Sequence, residues 1–268
     1  MSESYRFHFQ TAGDPANPPV LLLHGFMGSC DDWQTVGQVL AGHFHMFAID
    51  LPGHGKTVVD DSEAAYRVEN TAAAVIFWLQ EQSIDRPHCV GYSLGGRLAL
   101  FLATHHSRYF RSFVVESASP GLTTEAERLA RIQADAALAE RLMKEPLERF
   151  LNDWYDQPMF APLKRDPQKY IRLIHRRLKN NPHGLALSLR NMGAGAQPSL
   201  WEKLATLEQP LLLIVGERDD KFLTIAEGMV THCQTAEIAV MSDCGHNVHF
   251  EDPKRFTTTV REFITRHN

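Results

Sequence analysis

The chain has 268 residues, 44% hydrophobic and 22% charged, with 27 Lys and Arg against 32 Asp and Glu and a formal net charge of −5. That apolar content excludes a disordered chain, and the length suits two small domains or one elaborated α/β domain. The acidic balance argues against nucleic acid as a partner, because phosphate binding needs a surplus of Lys and Arg.

The opening Met1-Ser-Glu-Ser-Tyr-Arg-Phe has no basic stretch leading into an apolar one, so no secretory signal is expected. Residues 20–23 and 45–50 read as strands, 69–82 as a helix, 88–92 as a strand, 94–106 as a helix and 113–116 as a strand. Within the first helix, residues 72–79 form the longest apolar run, well short of the ~20 residues a membrane span needs. After a long interruption, 210–216 reads as a strand, 223–232 as a helix, 237–241 as a strand and 253–266 as a helix. Several strand segments are continuously apolar, as parallel strands covered on both faces require. The alternation predicts an α/β fold with a mostly parallel central sheet flanked by helices.

The interruption has no convincing strand and is rich in Ala, Leu, Glu and Arg. It reads as a helical cap over residues 122–203, inserted into a core domain of residues 1–121 and 204–268. The cap holds 14 basic and 10 acidic residues, a net of +4, which leaves the core at −9. Helical surfaces ordinarily carry charge pairs, but a basic insert over an acidic core also suits a cover for an anion pocket. Four scattered cysteines (Cys30, Cys89, Cys233, Cys244) suggest reduced thiols in a cytoplasmic protein. Cys244, His246 and His249 lie close in sequence, but no metal site is expected there, because His246 has another use.

Gly91-Tyr92-Ser93-Leu94-Gly95 is a G-x-S-x-G sequence between a predicted strand and a predicted helix, the context in which such a turn presents a serine hydroxyl. Asp219 stands just beyond the strand at 210–216, and His246 just beyond the one at 237–241. Asp220 reads as a surface carboxylate, His24 and His54 as structural, and His249 as outside the set. The turn at His24-Gly25-Phe26 ends another strand, where the Phe26 N–H can join that of Leu94 as an oxyanion hole. The order Ser, Asp, His at successive strand ends resembles the α/β-hydrolase fold from end to end.

A Ser-His-Asp set can attack an acyl carbon or move a proton, so it does not fix the reaction. Arg97 follows Ser93 by four positions, about one helical turn, and its fork suits a substrate carboxylate better than an apolar ester. Arg131 and Arg177 in the basic insert can aim at the same anion.

These residues resemble one family closely, the 2-succinyl-6-hydroxy-2,4-cyclohexadiene-1-carboxylate synthases of menaquinone and phylloquinone biosynthesis. The likeness rests on Leu23-His-Gly-Phe-Met-Gly, Val90-Gly-Tyr-Ser-Leu-Gly-Gly-Arg97 and Glu116-Ser-Ala-Ser-Pro-Gly-Leu122. It extends through Phe150-Leu-Asn-Asp-Trp154, Arg177-Leu-Lys-Asn, Ser188-Leu-Arg-Asn-Met-Gly193, Gly216-Glu-Arg-Asp-Asp-Lys-Phe222 and Gly245-His-Asn247. One departure is Ala194, where a hydroxyl residue is expected. The resemblance implies elimination of pyruvate from a substrate with three carboxylates. Ser93, Asp219 and His246 would form the triad, Arg97, Arg131 and Arg177 would bind carboxylates, and Tyr92 and Trp154 would line the pocket. Arg176 competes with Arg177 for the third position.

On that reading Ser93, relayed by His246 and Asp219, removes the ring proton α to the succinyl ketone, and no metal or cofactor is called for. The partner is a small polycarboxylate. Two other readings keep the fold: a serine hydrolase of a C–C bond or ester in an acidic metabolite, and a non-catalytic small-molecule receptor.

Overall fold

The computed structural model describes residues 5–60 and 62–268, so part of the N-terminal stretch weighed above lies outside the described residues. In chain order the strands and helices are β1 (Tyr5–Arg6), β2 (Phe9–Ala12), β3 (Pro19–Leu23), α1 (Gln34–Leu40), β4 (His45–Ile49), β5 (Val58–Val59) and α2 (Val68–Glu81). They continue as β6 (His88–Tyr92), α3 (Leu94–His106), β7 (Phe113–Glu116), α4 (Glu125–Lys144), α5 (Leu147–Tyr155), α6 (Pro167–Arg177) and α7 (Pro182–Met192). The last are α8 (Trp201–Leu204), β8 (Leu211–Gly216), α9 (Asp220–His232), β9 (Ala236–Met241), α10 (Val248–Glu251) and α11 (Pro253–Arg266).

The apolar runs become the central strands because each is walled in by helices on both faces. Strands order as β2-β4-β3-β6-β7-β8-β9, all parallel except the antiparallel β2–β4 pair. Side chains of β3 and β6 alternate between two cores: Leu21, Leu23 and Cys89 face one with α2 and α3, while Val20, Leu22 and Val90 face the other with α1 and α11. All six expected strands form, with ends shifted by at most one residue. The edge strand β2, the β1–β5 ribbon and helix α1 are additions. Helix α9 starts at Asp220, three residues before the expected start.

Between β7 and β8 the chain forms helices α4 to α8 and no strand among its described residues. Their starts are written locally. Thr124 and Glu127 close a reciprocal capping box on α4. Asp166-Pro167 and Asn181-Pro182 open α6 and α7 with a side-chain cap followed by a proline whose missing N–H costs nothing there. The cap segment has its own apolar cluster around Phe150, Leu151, Leu173 and Leu185, which also takes in Met27 of the core. Among the described residues no helix is long and apolar enough to cross a membrane.

Candidate active site

Strand β6 ends at Tyr92 and α3 begins at Leu94, so Ser93 alone turns the chain. Its φ of +50° and ψ of −103° are strained for a residue with a side chain. Glycines make the turn possible: a Cβ on Gly91 would lie 2.4 Å from the Gly95 carbonyl oxygen, and one on Gly95 would lie 2.2 Å from that of Leu23. The central position of β6 in the sheet places this serine at the C-terminal edge, where the strands on either side converge.

Two strands further along the sheet, β8 and β9, supply partners. Asp219 follows β8, is buried, and precedes α9, while the loop after β9 carries buried His246. His246 Nδ1 lies 2.6 Å from Asp219 Oδ2, and His246 Nε2 lies 3.2 Å from Ser93 Oγ. A carboxylate accepts only, so Nδ1 carries the proton and donates to Asp219, leaving Nε2 to accept from the Ser93 hydroxyl. Phe222, Tyr92 and Phe160 surround the imidazole, with ring centroids 4.6, 5.5 and 5.7 Å away. Asp220, by contrast, is exposed.

The turn at His24–Phe26 leans on the serine: a Cβ on Gly25 would sit 3.5 Å from Ser93 Cβ. Gly95 N–H donates to the His24 carbonyl (3.1 Å), fixing the turn beside the start of α3, where the Leu94 N–H has no preceding helical turn to accept it. Phe26 and Leu94 thus flank Ser93. The histidines set aside above are held by their own structural contacts. His24 Nε2 accepts from Leu51 N–H and its Nδ1 donates to the Gly25 carbonyl. Burial pushes His24 below its ordinary pKa and holds His54 at about 3. His249 donates from Nδ1 to the buried Glu116 and stacks on Trp33.

Arg97 is the one charged residue in α3, and no carboxylate lies within 4.0 Å of it among the described residues. Its NH1 donates to the Met192 carbonyl (2.8 Å) and to Gln197 Oε1 (3.4 Å). Desolvation first, and then the like charge of Arg131, pull its pKa down to about 10, against a smaller opposing pull from Asp135. Arg131 bonds through Nε to Asp135 (2.7 Å), and Asp135 is itself buried. Arg131 and Trp154 share a cleft of about 370 Å³ with Leu138 and Phe150. Trp154 also reaches Phe26, at 5.4 Å between centroids, so it bridges cap and serine turn.

Arg177 departs from expectation. Its NH1 and NH2 grip Asp32 at 2.9 and 2.8 Å, and its Nε donates to Tyr155 at 2.9 Å. The guanidinium is buried and internally satisfied, so in this structure it ties the cap to the core instead of offering its fork to a ligand. Arg176 lies near the same carboxylate at 3.4 Å. Burial works to raise Asp32, yet the two arginines outweigh it and hold the carboxyl below its ordinary range. Asn180 adds a second tie, donating to the Met27 carbonyl and accepting from Gly55 N–H. Asp32, Asn180 and Gln197 carried no signal in the sequence, because each acts through a partner more than 70 positions away.

Comparisons with known proteins place the chain in a family. Residues 18–253 match the family model of the alpha/beta hydrolase fold. A 2-succinyl-6-hydroxy-2,4-cyclohexadiene-1-carboxylate synthase from Salmonella agona is 37% identical over 94% of this chain and 96% of its own length. The chain belongs to that synthase family. The structure of MenH from S. aureus superposes with a TM-score of 0.90 at 29% identity, covering 98% of each chain. An enol-lactonase from Burkholderia xenovorans, at 19% identity and a TM-score of 0.84, shares the fold alone. The synthase family's likeness spans nearly the whole chain, so the expected fold holds and the chain is an enzyme of this family.

Proposed function

We propose that this chain is a 2-succinyl-6-hydroxy-2,4-cyclohexadiene-1-carboxylate synthase, the activity named for its relatives. It acts as a lyase that expels pyruvate from the enolpyruvyl precursor, serving menaquinone or phylloquinone synthesis. The observation that carries the reading is Arg97: a desolvated guanidinium without a carboxylate partner, one helical turn beyond Ser93. An uncompensated charge of that kind is costly without an anion and favourable with one. An apolar ester gives it nothing.

The reaction then follows from the line Ser93–His246–Asp219. Ser93 Oγ takes the ring proton α to the succinyl ketone as its own proton passes to His246 Nε2. Asp219 stabilises the imidazolium, and the Leu94 and Phe26 N–H groups face the developing enolate oxygen. The electron pair moves through the ring and leaves with the enolpyruvyl oxygen. The departing enolate takes the proton held on His246 and ketonises to pyruvate, which returns the imidazole to its neutral form. Serine acts as a base, so no acyl-enzyme forms. Arg97 and Arg131 hold substrate carboxylates, Tyr92 and Trp154 pack the ring, and Arg177 keeps the cap seated. Four free, buried cysteines support a reducing, cytoplasmic setting.

Turnover of the enolpyruvyl precursor beside turnover of p-nitrophenyl esters tests the assignment. The synthase reading expects pyruvate from the first and only slow hydrolysis of the second. Ordinary enzymatic rates on the esters with no pyruvate release would replace it by a hydrolase, and binding without any turnover by a receptor.

A further inference from the structure

Away from Ser93, three donor atoms from distant parts of the chain meet at the edge of the sheet. His8 precedes β2, Cys30 opens the turn before α1, and Asp50 follows β4. His8 Nδ1 lies 2.9 Å from Asp50 Oδ2, Cys30 Sγ lies 3.6 Å from His8 Nδ1, and all three donors lie within 4.8 Å of one another. We propose that His8, Cys30 and Asp50 form a binding site for a borderline-soft divalent cation of the zinc type, independent of the Ser93 site.

The distances carry the argument. Zinc bonds of about 2.3 Å to sulfur and about 2.05 Å to nitrogen, at a tetrahedral angle, place the two donors about 3.6 Å apart. The Sγ–Nδ1 separation already has that value. The corresponding nitrogen–oxygen edge is about 3.4 Å, so the His8 ring has to draw back from Asp50 by about half an ångström. His8 is the movable member, with its side chain 29% exposed, whereas Asp50 is 1% exposed. Its exposure also leaves the fourth position open to water.

The carboxylate is held in place for this. Asp50 Oδ1 accepts from Cys30 N–H at 2.7 Å and Oδ2 accepts from Lys56 N–H at 2.8 Å, which fixes both oxygens and still leaves lone pairs. The surroundings are negative: Asp31 and Asp32 lie near the thiol besides Asp50, although Arg176 and Arg177 neutralise Asp32. That field disfavours a free thiolate and favours a cation that neutralises one. Binding forms bonds from the metal to Sγ, Nδ1 and Oδ2. The thiol proton leaves to solvent, and the ring proton leaves Nδ1 while another is taken up at Nε2, for a net release of one proton. The bound ion would add a clip to segments already joined by the Asp50 N–H bond to the His8 carbonyl and the Cys30 N–H bond to Asp50.

Titrating metal-stripped protein with Co²⁺ tests this. One equivalent should give the absorption of a tetrahedral thiolate complex, Zn²⁺ should displace it, and Zn²⁺ should raise Tm in a way that EDTA reverses. Cys30→Ser should abolish the thiolate band. His8→Ala, a change at a partly exposed side chain that removes no core packing, should weaken Co²⁺ binding by at least about tenfold, and Cys244→Ser should bind as the parent does. Absence of the band with excess Co²⁺, or a band and affinity untouched by His8→Ala and Cys30→Ser, would overturn the proposal.

Discussion

Replacing Arg97 by alanine separates the roles this residue could have. Its pKa, drawn from 12.5 to about 10, corresponds to about 3 kcal/mol by which the protein disfavours the charged form. A substrate carboxylate in the guanidinium fork relieves that penalty and adds charge-assisted hydrogen bonds worth ~1.5–3 kcal/mol each. The two bonds of the fork alone set the loss on truncation at about 3–6 kcal/mol of transition-state binding, or roughly 10²–10⁴ in kcat/KM. Stability should move little, because the lost bonds to the Met192 carbonyl and Gln197 are offset by removing a charge that has no counter-ion. Arg97→Lys keeps the charge without the planar fork and should fall between the two. The assay is steady-state pyruvate release with the enolpyruvyl precursor, run beside a urea unfolding curve. A kcat/KM within about threefold of the parent, paired with a large fall in stability, would refute the reasoning and make Arg97 a structural residue.

Ser93→Gly should abolish turnover yet gain about 1 kcal/mol of stability, because glycine relieves the strained backbone at φ +50°; a lower urea midpoint would contradict this. Asp32→Ala strands Arg177 in the interior and should cost about 3–5 kcal/mol, read as a fall in the urea midpoint; an unchanged midpoint would mean that the tie carries no weight. Acid should weaken the fold already above the ordinary carboxylate range. Burial holds His54 at about 3 and His88 at about 4, while the unfolded chain takes up these protons near pH 6.5. Folding therefore loses roughly 1.4 kcal/mol per pH unit for each ring as pH falls from about 6.5 toward those values. Urea unfolding at pH 6.5 and 5 reads the slope, and His88→Asn should flatten it.

How much the sequence disclosed follows from how local each feature is. The central strands were legible because both faces are buried, so their apolar runs are continuous. β2 was not: Phe-Gln-Thr-Ala is an edge strand, and its pairing with β4 is settled by backbone bonds. Helix α1 was missed because Gln-Thr-Val-Gly-Gln-Val-Leu is short and starts without a side-chain cap. At the site, Ser93, Asp219 and His246 were readable because each directly follows a strand, and the sheet brings strand ends together. Arg177 was legible as a basic residue of the insert that can meet an anion, but its burial and its partner were not. The Asp32 that claims it lies 145 positions away and follows a turn with no motif of its own. His8, Cys30 and Asp50 stayed hidden for the same reason, being 20 to 42 positions apart with no metal-ligand spacing.

On the proposed mechanism Ser93 removes a proton and never carries an acyl group. The decisive measurement is a single-turnover reaction of the enzyme with the enolpyruvyl precursor, quenched in acid and read for pyruvate, for the conjugated diene and for the intact mass of the protein. Pyruvate and diene should appear in equal amounts with the protein mass unchanged throughout. An acyl adduct on Ser93 that forms and decays with product, or pyruvate released without the diene, would contradict it.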